Sequence, residues 1–243
     1  MVAVVVRSGS GRAVGFKVLG NICIVCAGKR VGLRKLHKAL KPFGDGYIFS
    51  EDFDASFKSH FAEFDSRPLR ESLLFNAFLK TAASLKWGKV GVVCTDTLTP
   101  RKVAALLRFV SELILVGVET DESFLTDCIC RYGACPDFGG VSELYSCDAV
   151  LSVGGLPNFD GVTFGLGGAT VCGDGLYLPE AALPVLSYNV DPIKLLSLLS
   201  AETGENLGDL CPGFLSVEGE KVPLSRFLMQ RQKDFVVNFL GLV

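Results

Sequence analysis

Apolar and polar positions fall into clear blocks along this chain, and the most regular block runs from residue 89 to about 168. Lys89-Val90-Gly91-Val92-Val93-Cys94 is a short apolar run with polar flanks, the pattern of a buried strand. Thr99-Pro100 then opens a helix: threonine suits the N-cap, and proline suits the first helical position, where no backbone donor is needed. Residues 113–118 predict a second strand, and 121–132 predict the next helix, with Gly133 placed to end it. Residues 148–153 predict a third strand, closed by Gly154-Gly155-Leu156-Pro157. Strands alternating with short helices imply right-handed crossovers and a parallel sheet covered on both faces. The three strands are therefore expected to be parallel neighbours, and the predicted class is α/β, with a Rossmann-like parallel sheet and helices on both faces.

The N-terminal part has its own pattern. Residues 2–6 and 13–19 flank Ser8-Gly9-Ser10-Gly11, which predicts an N-terminal β-hairpin, and 21–26 predict a third strand. Leu33, Leu36, Leu40 and Phe43 then recur at spacings of three, four and three, one apolar stripe of a helix whose other faces carry Arg34, Lys35, Lys38 and Lys41. Gly44-Asp45-Gly46 breaks that helix, and Tyr47-Ile48-Phe49 is a short strand. Residues 50–65 read as an acidic loop with one helical turn at most, packing Phe53, Phe57, Phe61 and Phe64 inward. The longest helix, 68–85, puts Leu69, Leu73, Leu74, Ala77, Phe78, Ala82 and Leu85 on one broad face. Beyond Pro157 come short strands at 161–164 and 169–172, a helix at 192–202, a hairpin from 214–217 and 221–224, and a helix at 225–240. The division expected is a basic α/β unit, 1–66, followed by a Rossmann-like domain, 67–243, that ends in the hairpin and helix.

Charge changes this picture. The first 44 residues hold nine of the 24 Lys and Arg residues and none of the 26 Asp and Glu. Such asymmetry invites an anionic partner. The other outcome is internal, because Asp45, Glu51, Asp52, Asp54, Glu63 and Asp65 follow directly and can face those bases. Nucleic acid is not the expected partner, since the bases lack interleaved aromatics and the whole chain is slightly acidic. An apolar content of 49% calls for a large core, and no uncharged apolar run approaches the roughly 18 residues of a membrane span. The start has no basic stretch before its apolar residues, so no secretory signal is expected. Nine cysteines without compact spacing read as reduced thiols in a cytoplasm, and their spacing supports no metal site. The apolar helix that carries Phe227, Leu228, Phe235, Val236, Phe239 and Leu240 is expected to dock on its own domain with an accompanying homodimer contact.

Three places carry candidate chemistry. Gly28-Lys29-Arg30-Val31-Gly32 lies between a strand and a basic helix, and helix N-terminal amides bind anions. A first helical turn ordinarily favours Asp and Glu, so a basic pair there makes best sense with an anion present. It is neither a Walker loop nor a cysteine phosphatase loop, because Gly32 stands where the latter needs arginine. Gly154 and Gly155 lie where strand ends in α/β sheets approach ligands, although strand-to-loop corners also need glycine for positive φ. The 89–119 stretch resembles a nicotinamide-binding domain in element order, with Glu119 placed as a ribose-binding carboxylate 23 residues after Asp96. Its first turn, Thr95-Asp96-Thr97-Leu98-Thr99, holds no glycine to admit a pyrophosphate. The expected function is a Rossmann-like protein binding a small anionic, phosphate-bearing ligand through Gly28, Lys29, Arg30, Gly32, Gly154, Gly155 and Glu119. The alternative is a non-catalytic interaction or scaffold protein on a degenerate α/β fold. The cofactor and the catalytic residues stay open.

Overall fold

A computed structural model describes residues 1–119 and 121–239, with side chains through residue 232. The chain forms two compact units, one made of residues 1–69 and 176–207, the other of 70–175 and 208–243.

The first unit is built on four strands, β1 (Val2–Arg7), β2 (Val14–Leu19), β3 (Ile22–Ala27) and β4 (Tyr47–Phe49), in the order β2-β3-β1-β4. β1 runs parallel to both β3 and β4, from Val2 opposite Ile22 to Arg7 opposite Ala27. The hairpin is therefore formed by β2 and β3, which pair antiparallel through the turn at Gly20-Asn21, and not by β1 and β2 as the sequence reading had it. The physical reason is visible in the residues. Val2-Ala3-Val4-Val5-Val6 is apolar at every position and fully buried, as a central strand covered on both faces must be.

Helix α1 (Leu33–Leu40) covers one face of that sheet, burying Leu36 and Leu40 against Ala3, Val5, Cys23, Val25 and Phe49. The short α2 (Ala55–Lys58) sits within the phenylalanine-rich segment and helps complete that core with Phe53, Phe57 and Phe61. Phe49 is the centre of the aromatic packing, with ring centroids 4.9 Å from Phe53 and 5.1 Å from Phe61.

Helix α3 (Arg67–Leu85) leads into the second unit, where β5 (Lys89–Val93), β6 (Glu112–Val116), β7 (Asp137–Gly139), β8 (Ala149–Leu151) and β9 (Val162–Phe164) form an all-parallel sheet. The order is β7-β6-β5-β8-β9, so the three expected strands are parallel neighbours, each slightly shorter than its apolar run. Between them lie α4 (Pro100–Val103), whose N-cap Thr99 accepts from the Lys102 N–H, and α5 (Glu122–Tyr132), which ends at Gly133 in the left-handed conformation. Gly117, at φ +82°, stops β6 before Val118. The core of this unit is aromatic around Phe78, whose ring lies 5.4 Å from Trp87 and 5.2 Å from Phe164.

After β10 (Thr170–Val171) the chain returns to the first unit with α6 (Leu183–Leu186) and α7 (Pro192–Thr203). Helix α7, assigned from sequence to the 67–243 domain, packs on β1 and β4. It buries Ile193, Leu195, Leu196, Leu198 and Leu199, a supply of apolar surface that matches the second face of a doubly covered sheet. The strands β11 (Phe214–Val217) and β12 (Glu220–Pro223) make the expected hairpin, and α8 (Leu224–Phe239) follows. Phe227 is buried, with its ring 5.7 Å from Phe164. Phe235, Val236, Phe239 and Leu240, on which the homodimer expectation rested, lie outside the described side chains. No helix among the described residues is long and apolar enough to cross a membrane.

Candidate functional site

The turn between β3 and α1 owes its shape to the loop that follows β1. Gly28 donates its N–H to the Ala13 carbonyl at 3.0 Å, Lys29 to Gly9 at 3.2 Å and Arg30 to Gly11 at 3.2 Å. A Cβ on Gly28 would stand 2.1 Å from the Gly11 oxygen, so glycine is needed there to let two backbones meet. Gly28 is expected among the ligand-binding residues. The structure shows those three amides already satisfied by carbonyls.

Four residues further on the situation differs. Gly32 is the N-cap of α1, with open space where a Cβ would stand and no side-chain hydrogen bond, and its carbonyl accepts from Lys35 and Leu36. The N–H groups of Leu33 and Arg34 have no acceptor among the described residues, and the first turn has no acidic residue. Lys29, Arg30, Arg34 and Lys35 are exposed around this helix start. Arg7 is drawn inward, its guanidinium 4.0 Å from the Phe53 ring centre and bonded to the Gly28 and Lys29 carbonyls.

The carboxylates that follow do not neutralise these bases. Glu51 pairs with Lys58 at 3.3 Å and with Lys194 at 3.1 Å, Glu63 with Lys194 at 3.5 Å, and Asp65 with Arg67 at 2.8 Å. Asp52 accepts from Asn189 at 2.9 Å. Among the described residues, none of the nine Lys and Arg side chains before residue 45 joins an ion pair.

The ion pairs of Lys194 make a prediction of their own. Burial pushes the Glu51 pKa up, but hydrogen bonds and charge from Lys194 and Lys58 outweigh it and hold the carboxyl below its ordinary value. Burial pulls Lys194 down, but Glu63 and Glu51 outweigh it and raise the ammonium above its ordinary value. Glu51 thus contributes stability above its unfolded pKa, lost as pH falls through the lowered folded value. The Lys194 contribution is complete below its unfolded pKa and is lost as pH rises through the raised one. Lys194→Met is expected to destabilise the protein by about 1–2 kcal/mol at neutral pH. The gap from wild type should narrow in acid as the carboxylates protonate, which urea midpoints at the two pH values will show.

The other candidates lie at the C-terminal edge of the parallel sheet in the second unit, where open α/β sheets hold ligands. Because β6 and β8 flank β5, the loops bearing Glu119, Asp96 and Gly154-Gly155 leave from this one edge. Glu119 and Gly154 are exposed, and a Cβ on Gly154 would meet open space. Gly155 has φ +79°, and a Cβ on it would stand 2.2 Å from the Leu166 oxygen. Gly165 and Gly168 make similarly close backbone approaches to Ser152 and Thr163. Gly155, Gly165 and Gly168 serve loop-on-loop packing, and Gly154 does not. At the end of β5, Thr95 Oγ1 accepts from the N–H of Leu98 at 3.0 Å and donates to Glu71, closing the glycine-free turn on itself. Lys102 donates to Ser72 at 2.7 Å, and burial lowers its pKa against the opposing charge of Glu71.

Of the two histidines, His37 stacks on Phe61 with centroids 4.3 Å apart, and His60 is exposed. The thiols are free, and burial pushes Cys94 and Cys147 up to about 11, where they stay protonated. Cys130 and Cys135 are exposed. Among the described residues no cluster of three or more His, Cys, Asp or Glu side chains could hold a metal.

No family model and no curated protein sequence matches this chain. Among solved structures, the L-tryptophan dehydrogenase of Nostoc punctiforme is similar at 14% identity and a TM-score of 0.35, over 76% of this chain. The chain spans 63% of the length of that structure. The class is that of an α/β protein with a Rossmann-like five-stranded parallel sheet and an N-terminal mixed four-stranded sheet, as the strand order itself shows.

Proposed function

We propose that this protein binds a small phosphate-bearing anion at the start of α1. The observation that carries the reading is the unpaired positive charge: the N-terminal bases have no carboxylate partner among the described residues, while Glu51, Glu63 and Asp65 are each paired with later cations. Two unbonded helix amides, at Leu33 and Arg34, lie in the same turn. Lys29 and Arg30 supply charge, Gly28 holds the turn against the 8–13 loop, and Gly32 keeps the helix end open. Anions at such a helix end gain from the backbone dipole as well as from the cations. A cytoplasmic setting accords with nine cysteines that all stand as free thiols.

A thermal-shift series with inorganic pyrophosphate and a nucleoside triphosphate tests this, because a ligand bound only by the native state raises the melting temperature. Wild type should be stabilised, and Lys29→Ala with Arg30→Ala should abolish the shift without changing the melting temperature of the free protein. An undiminished shift in the double variant refutes the assignment.

A further inference from the structure

β2 is an edge strand, and the structure leaves it in an unusual state. It forms six residue pairs with β3, and no strand among the described residues lies on its other side. Four of its six residues are exposed, including Phe16 at 58% and Val18 at 59%. Their cross-strand partners, Val25 and Cys23, belong to the core face beneath α1, so Phe16 and Val18 carry that apolar face outward past the helix.

The hydrogen-bond phase of this edge follows from one contact. Gly28 N–H donates to the Ala13 carbonyl across the same ladder, so the odd-numbered residues of β2 face β3. In an antiparallel pair the intervening residues direct their backbone groups the other way. The N–H and C=O groups of Val14, Phe16 and Val18 therefore point outward, three donors and three acceptors at strand spacing. Natural edges are ordinarily blunted by charged side chains, proline, bulges or a covering element. Here the only such device in the strand is Lys17.

Charge decides what fits. Arg12 precedes the strand, Lys17 lies within it, and Lys35 of α1 donates to the Arg12 carbonyl at 3.0 Å, bringing the basic helix to the start of β2. None of these cations is ion-paired among the described residues. A second copy of this edge would bring like charges together, and like-charge juxtaposition disfavours the wrong partner. A nucleic acid would use the cations and leave the outward amides and carbonyls unmatched.

We propose that β2 is a docking edge for an extended acidic peptide segment of a partner protein. The segment adds a fifth strand to the sheet, sets apolar side chains beside Phe16 and Val18, and directs the carboxylates of its other face toward Lys17, while Arg12 and Lys35 add positive charge at the start of the edge. Main-chain hydrogen bonds supply affinity and the alternate side chains supply selectivity, as in other cases of strand addition. The inference stands whether or not the start of α1 takes a phosphate.

The test uses the full chain with a short capped peptide of alternating Glu and Val, its Lys-Val counterpart, and oligothymidylate. The Glu-Val peptide should bind and slow amide exchange at Val14, Phe16 and Val18, and the Lys-Val peptide should do neither. Phe16→Pro removes an outward donor and leaves the bonds to β3 in place, a position where edge strands tolerate proline. It should weaken binding about tenfold. Because that variant alters the strand, a Glu-Val peptide N-methylated on the residues facing β2 provides the check on unaltered protein, and it should not bind. Equal binding of the methylated peptide, failure of the Glu-Val peptide to protect β2, or protection by oligothymidylate in its place would each overturn the proposal. So would a dimer in light scattering that Phe16→Pro converts to monomer, since a second copy would then occupy the edge.

Discussion

Gly165→Ala is expected to destabilise the second unit by about 3 kcal/mol or more, whereas Gly154→Ala should change stability by no more than about 0.5 kcal/mol. At Gly165, φ is +133° and an added Cβ would stand 1.8 Å from the Ser152 carbonyl oxygen. Neither the backbone conformation nor the space admits a side chain, and the opposing atom is main chain that cannot swing away. Ser152 in turn donates its N–H to the Phe164 carbonyl at 2.9 Å and its hydroxyl to the Gly155 carbonyl at 2.9 Å. Moving Ser152 therefore disturbs the end of β8 and the pairing of β9. Gly154, in the loop between β8 and β9, has open space and no positive φ. Trp87, the single tryptophan, is buried against Phe78, and Phe78 packs on Phe164, so its fluorescence reports this region during urea unfolding. A Gly165→Ala midpoint equal to wild type would refute the packing account of these glycines.

Phe49→Ala is expected to destabilise the first unit by about 3–5 kcal/mol, the range for removing a buried aromatic side chain. Phe49 is fully buried and makes edge or tilted contacts with Tyr47, Phe53, Phe57 and Phe61. Such pairs add about 0.5–1.5 kcal/mol beyond area burial. Whole domains are held by only about 5–15 kcal/mol, so the loss takes a large share of the margin. Leu36 and Leu40 belong to the same cluster, and they seat α1. Amide exchange in β1 and β3 should therefore quicken in Phe49→Ala, and stabilisation by pyrophosphate should fall with it. Wild-type exchange rates in β1 would show that the core tolerates the cavity.

Much of the local architecture is legible in the residues. Thr99-Pro100 caps α4, Asp121 and Gly133 bound α5, and the apolar runs at β5, β6 and β8 identify the parallel sheet. Each depends on side-chain chemistry or backbone conformation within a few residues. The β1 error had a readable signal: five consecutive apolar residues indicate a doubly covered strand, and Gly20-Asn21 between apolar pairs indicates the hairpin. The exposure of Phe16 and Val18 had none, because alternation describes a strand without saying where its neighbour helix ends.

The sequence by itself determined that nine bases precede the first acid, that strands and helices alternate, and that glycines gather after the later strands. These are properties of composition and short-range order. Only the tertiary structure decided that Gly28 serves the Gly11 backbone, that Glu51 and Glu63 turn to Lys194, and that α7 closes the sheet of the first unit. Those outcomes join residues from opposite ends of the sequence, as between α7 and β1. They follow from which apolar faces meet, and a carboxylate pairs with whichever cation that meeting brings within reach.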